Sequence, residues 1–132
     1  MALLTKLCIK EVQNSYLVTD FRCRYARNHN GILPTSRPTC NKIEITVIAP
    51  ATDDFLFYEW FVNQSVLSGK LSYELPITCK NAYPDARTIS FVDAKCLAFT
   101  EHYDIRRKSR RLLTLEIIPQ QVKIDDIDVN HL

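Results

Sequence analysis

The chain has 132 residues, of which 46% are hydrophobic and 24% are charged, and its formal net charge is +2. These values are typical of one globular domain spanning residues 1–132, and they exclude a disordered chain. Glycine occurs only at positions 31 and 69, which argues against a glycine-rich phosphate loop or a dinucleotide-binding fingerprint.

The first predicted elements form a β-hairpin. Residues 3–12 and 15–25 each alternate apolar and polar side chains with period two, and the polar residues 13–15 join them. In the second strand the alternation predicts one inward face, formed by Leu17, Phe21, Cys23 and Tyr25. The next strand spans residues 42–49, and its inward residues are Ile43, Ile45 and Val47.

The only predicted helix follows this strand, at residues 53–64, with Thr52 or Asp53 as its N-cap. Because the segment is apolar on nearly all sides, we expect it to be buried on more than one side, at one end or flank of a β-barrel. The aromatic residues predicted to anchor it in the core are Phe55, Phe57, Trp60 and Phe61.

Three further strands complete the sheet. They are predicted at residues 69–75, at 87–100 with a bulge or bend at Asp93–Ala94, and at 111–118 with Leu113, Leu115 and Ile117 on one face. Residues 121–124 extend the last strand past Pro119. The sequence therefore predicts a mainly β fold, with one helix on its side.

Three segments are predicted to lack regular structure. Residues 26–41 form an extended loop with two prolines, residues 77–86 form a shorter polar connection, and the acidic residues 125–132 form a flexible tail. An irregular segment as long as 26–41 is uncommon in a small domain and is often functional.

The sequence offers little for catalysis, and we predict no catalytic, metal or cofactor site. The five cysteines contain no CxxC pair, which argues against a zinc ribbon or a redox site, and Cys8, Cys23 and Cys96 are expected to be buried reduced thiols. Glu101 and His102 are the one pair that acid–base chemistry could use, but a solvated strand end or turn is the better explanation for them. No run of 18 apolar residues indicates a membrane helix, and the N-terminus does not resemble a signal peptide.

A basic run at residues 106–111 is the strongest candidate binding feature. Such a run can contact phosphates of a nucleic acid, form a solvated hairpin turn, or pair with an acidic patch such as Asp125, Asp126 and Asp128 on a neighbouring copy.

Several words of the sequence, in this order, resemble the haemolysin-coregulated protein family, the tube-forming proteins of type VI secretion, and in particular its Bacteroidetes branch. The words cover residues 4–124. They are Tyr16-Leu17-Val18, Gly31-Ile32-Leu33-Pro34-Thr35-Ser36, Ile43-Glu44-Ile45-Thr46-Val47, the aromatic segment Asp54 to Trp60, Gly69-Lys70-Leu71-Ser72-Tyr73, Ile89 to Cys96, and Glu101-His102-Tyr103-Asp104.

The resemblance implies a small β-barrel of two packed antiparallel sheets with one helix on the side. It also implies a structural, non-enzymatic subunit that forms hexameric rings, stacked into a hollow tube that sheath contraction expels. The implied partners are other copies, the spike, the sheath and effector cargo in the lumen. The implied location is the cytoplasm until secretion through the machine, without a signal peptide. Membrane insertion is not implied.

The residues expected to contact neighbouring copies lie in the long loop and in the basic run. They are Arg27, Gly31, Ile32, Leu33, Pro34, Thr35, Arg106, Arg107, Arg110 and Arg111. The basic run departs from the uncharged, proline-containing turn of typical relatives. The alternative function is therefore a divergent paralogue that binds nucleic acid or an acidic protein through residues 106–111.

Overall fold

A computed structural model describes residues 5–12, 14–26, 29–30, 33–34, 39–49, 55–74, 86–106, 110–125 and 127–128. These residues form ten strands and one helix. In chain order they are β1 (Thr5–Ile9), β2 (Asn14–Ala26), β3 (His29–Asn30), β4 (Leu33–Pro34), β5 (Thr39–Ile48), α1 (Leu56–Asn63), β6 (Val66–Glu74), β7 (Ala86–Asp104), β8 (Arg110–Ile118), β9 (Gln121–Ile124) and β10 (Ile127–Asp128).

The main sheet closes on itself to form a barrel. Its strand order is β7-β6-β1-β2-β5-β8, and β8 pairs again with β7. All pairings are antiparallel. The prediction of a small antiparallel β-barrel with one helix is therefore confirmed, and its two predicted sheets are walls of one continuous sheet.

The barrel interior is filled by alternate residues of each strand. On β5 and β8 the alternation follows the prediction, since Ile43, Ile45, Leu115 and Ile117 are fully buried and Leu113 is 1% exposed. Among the described residues no polar or charged residue is buried, so the core consists of apolar side chains.

A β-bulge in β2 makes part of the predicted inward face wrong. Val18 pairs with Val47 but Asp20 pairs with Thr46, so Thr19 is an extra residue in the ladder. An extra residue moves the following side chains to the opposite face. The interior therefore receives Tyr16 before the bulge, whereas Leu17 points outward and is 48% exposed. Beyond the bulge Phe21 and Cys23 pack against the core, as predicted, but Tyr25 follows a second register shift and is 37% exposed.

The bulge predicted in the long strand is confirmed, and it determines how β7 is shared. Asp93 has a left-handed φ of 52°, and its backbone N–H donates to Ser68 Oγ at 3.1 Å. Before the bulge β7 lies between β6 and β9, and from Lys95 onward it pairs with β8. Strands β8 and β9 thus run one after the other along β7, which confirms that residues 121–124 continue β8 past Pro119.

Helix α1 is buried on one face only. Phe57 and Trp60 are 2% and 1% exposed, which confirms them as core residues. Trp60 Nε1 donates to the Ala94 carbonyl at 3.0 Å, inside the barrel wall. Phe55 and Phe61 are 57% and 39% exposed, so their assignment to the core is wrong. The helix begins at Leu56 without a side-chain cap and ends at Gln64, whose φ is 51°.

Two segments predicted to be irregular contain regular pairing. Within 26–41, β3 pairs with β4, and β5 already begins at Thr39. In the predicted flexible tail, β10 pairs with β9 through Ile127 and Ile124. These short ladders satisfy the hydrogen-bonding groups of the backbone, and the alternation of side chains in the sequence does not reveal such pairing. Of the loop predicted at 77–86, only Ala86 is described, and it begins β7. The proposed caps Thr52 and Asp53 lie outside the described residues.

Candidate functional site

Two pairs of strands extend past their neighbours at opposite ends of the barrel. At one end, residues 39–42 of β5 pair with β2, while pairing with β8 starts at Ile43. At the other end, β5 stops at Ile48 opposite Leu112, while β7 and β8 continue to Asp104 opposite Arg110. Because β5 runs between these points, the β2–β5 arm and the β7–β8 tip project in opposite directions.

The basic run lies in the β7–β8 tip. Arg106 is in the exposed turn next to Ile105, which is 77% exposed, and Arg110 is the first residue of β8. Arg111 instead folds back onto the barrel, where its Nε lies 3.6 Å from Glu101 Oε2. Arg107 lies outside the described residues. The pairing of Asp104 with Arg110 agrees with the hairpin alternative for this run, and the described residues of the run have different surroundings.

Glu101 links the helix to the β7–β8 tip. The hydroxyl of Tyr58 donates to Glu101 Oε2, and the Tyr58 ring contacts Phe99 edge-on with centroids 5.0 Å apart. Because Tyr58 and Arg111 both contact Oε2 of Glu101, this carboxylate has a structural role. His102 lies beside it and is exposed. No three His, Cys, Asp or Glu side chains cluster as metal ligands within the part of the chain that the structure describes.

An exposed apolar patch lies on the outer face where β6, β7 and β8 meet. Val66 and Ile118 both pair with Lys95, and Leu97 is the extra residue at a register shift between Cys96 and Ala98. Val66, Leu97 and Ile118 are 43%, 55% and 40% exposed. These three residues, called the Leu97 patch, were not predicted as a site. The only sequence signal was the apolar run from Cys96 to Phe99. A bulge changes which face of the strand its side chains occupy, so the run does not show which of them are exposed.

The remaining predicted contact residues fall mainly in the long loop. Arg27, Gly31, Ile32 and Thr35 lie outside the described residues. Leu33 and Pro34 are described as the backbone of β4. The described ends of the loop, Ala26 and Thr39, pair with each other at the end of the barrel that carries the β2–β5 arm, away from the basic run.

The thiols differ in their surroundings. Burial raises the pKa of Cys96 from its ordinary value of 9.0 to about 11, and its Sγ donates to the Ala98 carbonyl. Burial also raises the pKa of Cys23, which is partly buried. Cys8 is exposed on the outer face of β1, so the prediction that it is buried is wrong.

A model of one protein family covers nearly the whole chain. The family described as Hemolysin coregulated protein Hcp (TssD) matches residues 1–131. The chain belongs to this family. Hcp proteins are the structural tube proteins of type VI secretion, and the chain is accordingly a structural tube subunit. The family forms ring oligomers and its members are secreted proteins.

Solved structures of Hcp proteins share the fold at low sequence identity. Hcp1 from Flavobacterium johnsoniae is 17% identical with a TM-score of 0.67, and the match covers 97% of this chain and 99% of that one. Hcp1 from Salmonella typhimurium is 13% identical with a TM-score of 0.65, covering 94% and 86%. Secreted protein Hcp3 from Pseudomonas aeruginosa is 10% identical with a TM-score of 0.61, covering 93% and 90%. The resemblance to the family read from sequence words is thus confirmed.

A search of curated proteins finds no match to this chain. Within the described residues no helix has the length and apolar character needed to cross a bilayer, since α1 has eight residues.

Proposed function

We propose that this Hcp protein closes into six-membered rings that stack into a hollow tube. The observation that carries the proposal is the placement of two different projecting strand pairs at opposite ends of one barrel. A polymer that grows by stacking needs head-to-tail contacts between unlike surfaces. The β2–β5 arm and the β7–β8 tip supply two such unlike ends.

The contact within a ring uses the Leu97 patch. Exposed apolar side chains grouped in this way are favourable to bury, at about 25 cal/mol per Å². Lys95 lies between Val66 and Ile118, so the patch has one cation at its centre, which an acidic group of the neighbouring copy can pair. Permanent interfaces between identical subunits are more apolar than the rest of a protein surface.

The contact between rings uses both projecting ends. On one side it involves the loop 26–41, with Arg27, Gly31, Ile32, Leu33, Pro34 and Thr35. On the other side it involves Arg106, Arg107, Arg110 and Arg111. Arg111 contributes by holding the tip against Glu101, whereas Arg106 is exposed in the turn at the end of the tip.

The remaining parts of the proposed function follow from the role of a tube subunit. The chain acts as a single domain of residues 1–132 without catalytic activity. It resides in the cytoplasm before the machine fires and leaves through the machine. Its further partners are the spike, the sheath and effector cargo.

A second candidate function is supported by the exposed turn of the basic run. Ile105 and Arg106 project beyond the barrel, and such a tip can bind an acidic protein or a nucleic acid in a divergent paralogue. Binding of either partner that is lost in Arg106→Ala with Arg107→Ala, and that weakens as salt rises, would favour this function. Binding that is unaffected by the two substitutions and by added salt would refute this second function.

Mass photometry and electron microscopy of the purified protein test the ring. We expect the wild type to form rings, and Leu97→Glu with Ile118→Glu to remain monomeric with its thermal stability retained. Leu17→Glu is the matched control, because Leu17 is 48% exposed on β2 outside the patch. A wild type that stays monomeric at high concentration would refute assembly. Rings that survive the double change would refute the Leu97 patch as their contact.

A further inference from the structure

A shallow groove of about 630 Å³ crosses the outer face of β1, β6 and β7. It lies on the barrel wall that contains Gly69, whose missing side chain lets β6 approach β1 closely. A Cβ at Gly69 would lie 2.4 Å from the Cys8 carbonyl oxygen. The side chains around the groove include Cys8, Lys10, Ser15, Lys70, Ser90 and Val92.

The lysines of this wall form a zigzag. Lys70 is paired with Cys8 in the ladder. Lys6 of β1 and Lys10, directly after β1, lie two residues to either side of Cys8, and both are exposed. Lys70 is therefore the diagonal neighbour of both, at a separation of about 7–8 Å. Lys10 and Lys70 line the groove, and Lys6 continues the row beyond it.

These ammonium groups lack acidic partners among the described residues, since none of Lys6, Lys10 and Lys70 forms an ion pair there. The nearest acidic residue in sequence, Glu11, accepts the Ser68 backbone N–H with both carboxylate oxygens, at 3.0 and 3.2 Å.

Two cations on other surfaces of the barrel are matched within the chain. Lys42 lies 3.1 Å from Glu44 and 3.4 Å from Glu116. Arg87 lies 3.4 Å from Asp125. The groove therefore differs from these surfaces in presenting several positive charges that the described part of the chain leaves unmatched.

We propose that this groove, named the Lys70 groove, binds an extended acidic segment of another protein, with Asp or Glu at alternate positions. In an extended chain, alternate side chains lie on one side at a spacing of about 6.6–6.8 Å. That spacing matches the diagonal steps from Lys6 to Lys70 and from Lys70 to Lys10. The hydroxyls of Ser15 and Ser90, which lie on either side of the lysines, are available to the backbone of the bound segment.

The lining favours an acidic polypeptide over other anionic partners. Binding of single-stranded nucleic acid relies on exposed aromatic rings for base stacking, whereas the one aromatic residue of the lining, Phe91, is 1% exposed. A permanent contact with another copy is disfavoured, because lysine and serine are depleted in such interfaces. The Lys70 groove thus fits a transient partner, and it is separate from the Leu97 patch.

Fluorescence anisotropy with two labelled peptides tests this inference. One peptide alternates Glu and Ser, and the other has the same composition with its Glu residues in one block. We expect the alternating peptide to bind more tightly, and Lys10→Gln with Lys70→Gln to weaken its binding by roughly 2- to 30-fold. Arg22→Gln with Arg24→Gln removes the same charge from exposed positions of β2 and should leave the affinity nearly unchanged.

Alkylation of Cys8 locates the bound peptide. Cys8 is exposed and lines the groove, so the alternating peptide should slow its reaction with maleimide, as measured by mass spectrometry. Equal weakening by the two double variants, equal affinity of the two peptides, or an unchanged Cys8 reaction would each overturn the proposal. It would also be overturned if a single-stranded RNA of equal charge bound more tightly and depended on the same lysines.

The mass of each variant separates this inference from the proposed ring. Rings that form while the lysine changes leave peptide binding intact would refute the Lys70 groove alone. A chain that stays monomeric yet binds the alternating peptide through Lys10 and Lys70 would refute the ring alone.

Discussion

Replacing Trp60 tests how helix α1 is attached to the barrel. Trp60 is 1% exposed, and its indole N–H donates to the Ala94 carbonyl at 3.0 Å. Trp60→Ala removes the largest buried side chain and leaves a cavity, which typically costs about 3–5 kcal/mol of the free energy of unfolding. Trp60→Phe keeps most of the packing but leaves the buried carbonyl without this donor, which costs about 1–3 kcal/mol.

The expected shifts are large enough for a thermal melt. At about 2.1 cal/mol/K per residue, 132 residues give an unfolding entropy of about 280 cal/mol/K. Trp60→Ala should therefore lower Tm by roughly 11–18 °C, and Trp60→Phe by roughly 4–11 °C. The melts should be compared at one protein concentration, because assembly adds to the apparent stability.

Phe61 is the matched control for Trp60. It lies next to Trp60 on the same helix but is 39% exposed, so Phe61→Ala should cost less than about 1 kcal/mol. Similar Tm values for Trp60→Ala and Phe61→Ala would show that the helix does not insert Trp60 into the barrel, and would refute this account of its packing.

Three further predictions follow from single positions. Gly69→Ala should cost about 1–3 kcal/mol in urea denaturation, because its Cβ would lie 2.4 Å from the Cys8 carbonyl oxygen and 2.9 Å from Phe91; a cost no larger than that of Ser72→Ala on the same strand would contradict the close approach. For Cys96, the folded pKa of about 11 lies above the ordinary 9.0, so the contribution of the thiol to stability is fully present below pH 9 and is lost as pH rises to about 11. The difference in free energy of unfolding between wild type and Cys96→Ala should fall across that range by about 2–3 kcal/mol. A constant difference would contradict the buried neutral thiol. Glu101→Gln should change the free energy of unfolding by about 1 kcal/mol or less, because the Glu101 side chain is 39% exposed in its contact with Arg111. A double-mutant cycle with Tyr58→Phe measures the coupling between Tyr58 and Glu101. A coupling above about 2 kcal/mol would show that this contact is screened from water.

The parts of the fold that the sequence predicted are those where alternation is uninterrupted. Ile43, Ile45 and Val47 on β5 occupy the same face throughout, so period two assigns them to the interior. The bulge at Thr19 breaks this logic in β2. Leu17 and Phe21 are four residues apart and share a phase in the sequence, but the extra residue places them on opposite faces.

Residue type was a poorer guide than position for two assignments. Cys8 lies between the buried Leu7 and Ile9, so strand alternation alone places it outside, and it is indeed exposed. For helix α1 the apolar residues surround the axis, which gives no information about which face is covered. Only the position of the helix against β7 distinguishes Trp60 from Phe61.

The candidate surfaces were predicted less completely than the fold. The basic run was identified because charge clusters are visible in sequence, although the return of Arg111 to Glu101 depends on the hairpin register. The Leu97 patch and the Lys70 groove each combine residues from separate strands. Their formation depends on which strands are neighbours in the closed barrel, and local patterns carry no such information.

The closure of the barrel also bears on the order in which the chain folds. Hairpins β1–β2, β6–β7 and β7–β8 join segments that are adjacent in sequence. The pairing of β5 with β8 instead joins Thr46 to Thr114, whose hydroxyls lie 3.1 Å apart across 68 residues of chain, and the pairing of β1 with β6 joins Thr5 to Tyr73. Because closing such long loops is slow, we expect these two pairings to form last, with amides of the local hairpins gaining protection earlier in pulsed hydrogen exchange. Until β8 has been synthesised, one edge of the apolar strand β5 has no partner strand, and the nascent subunit is exposed to aggregation at that edge.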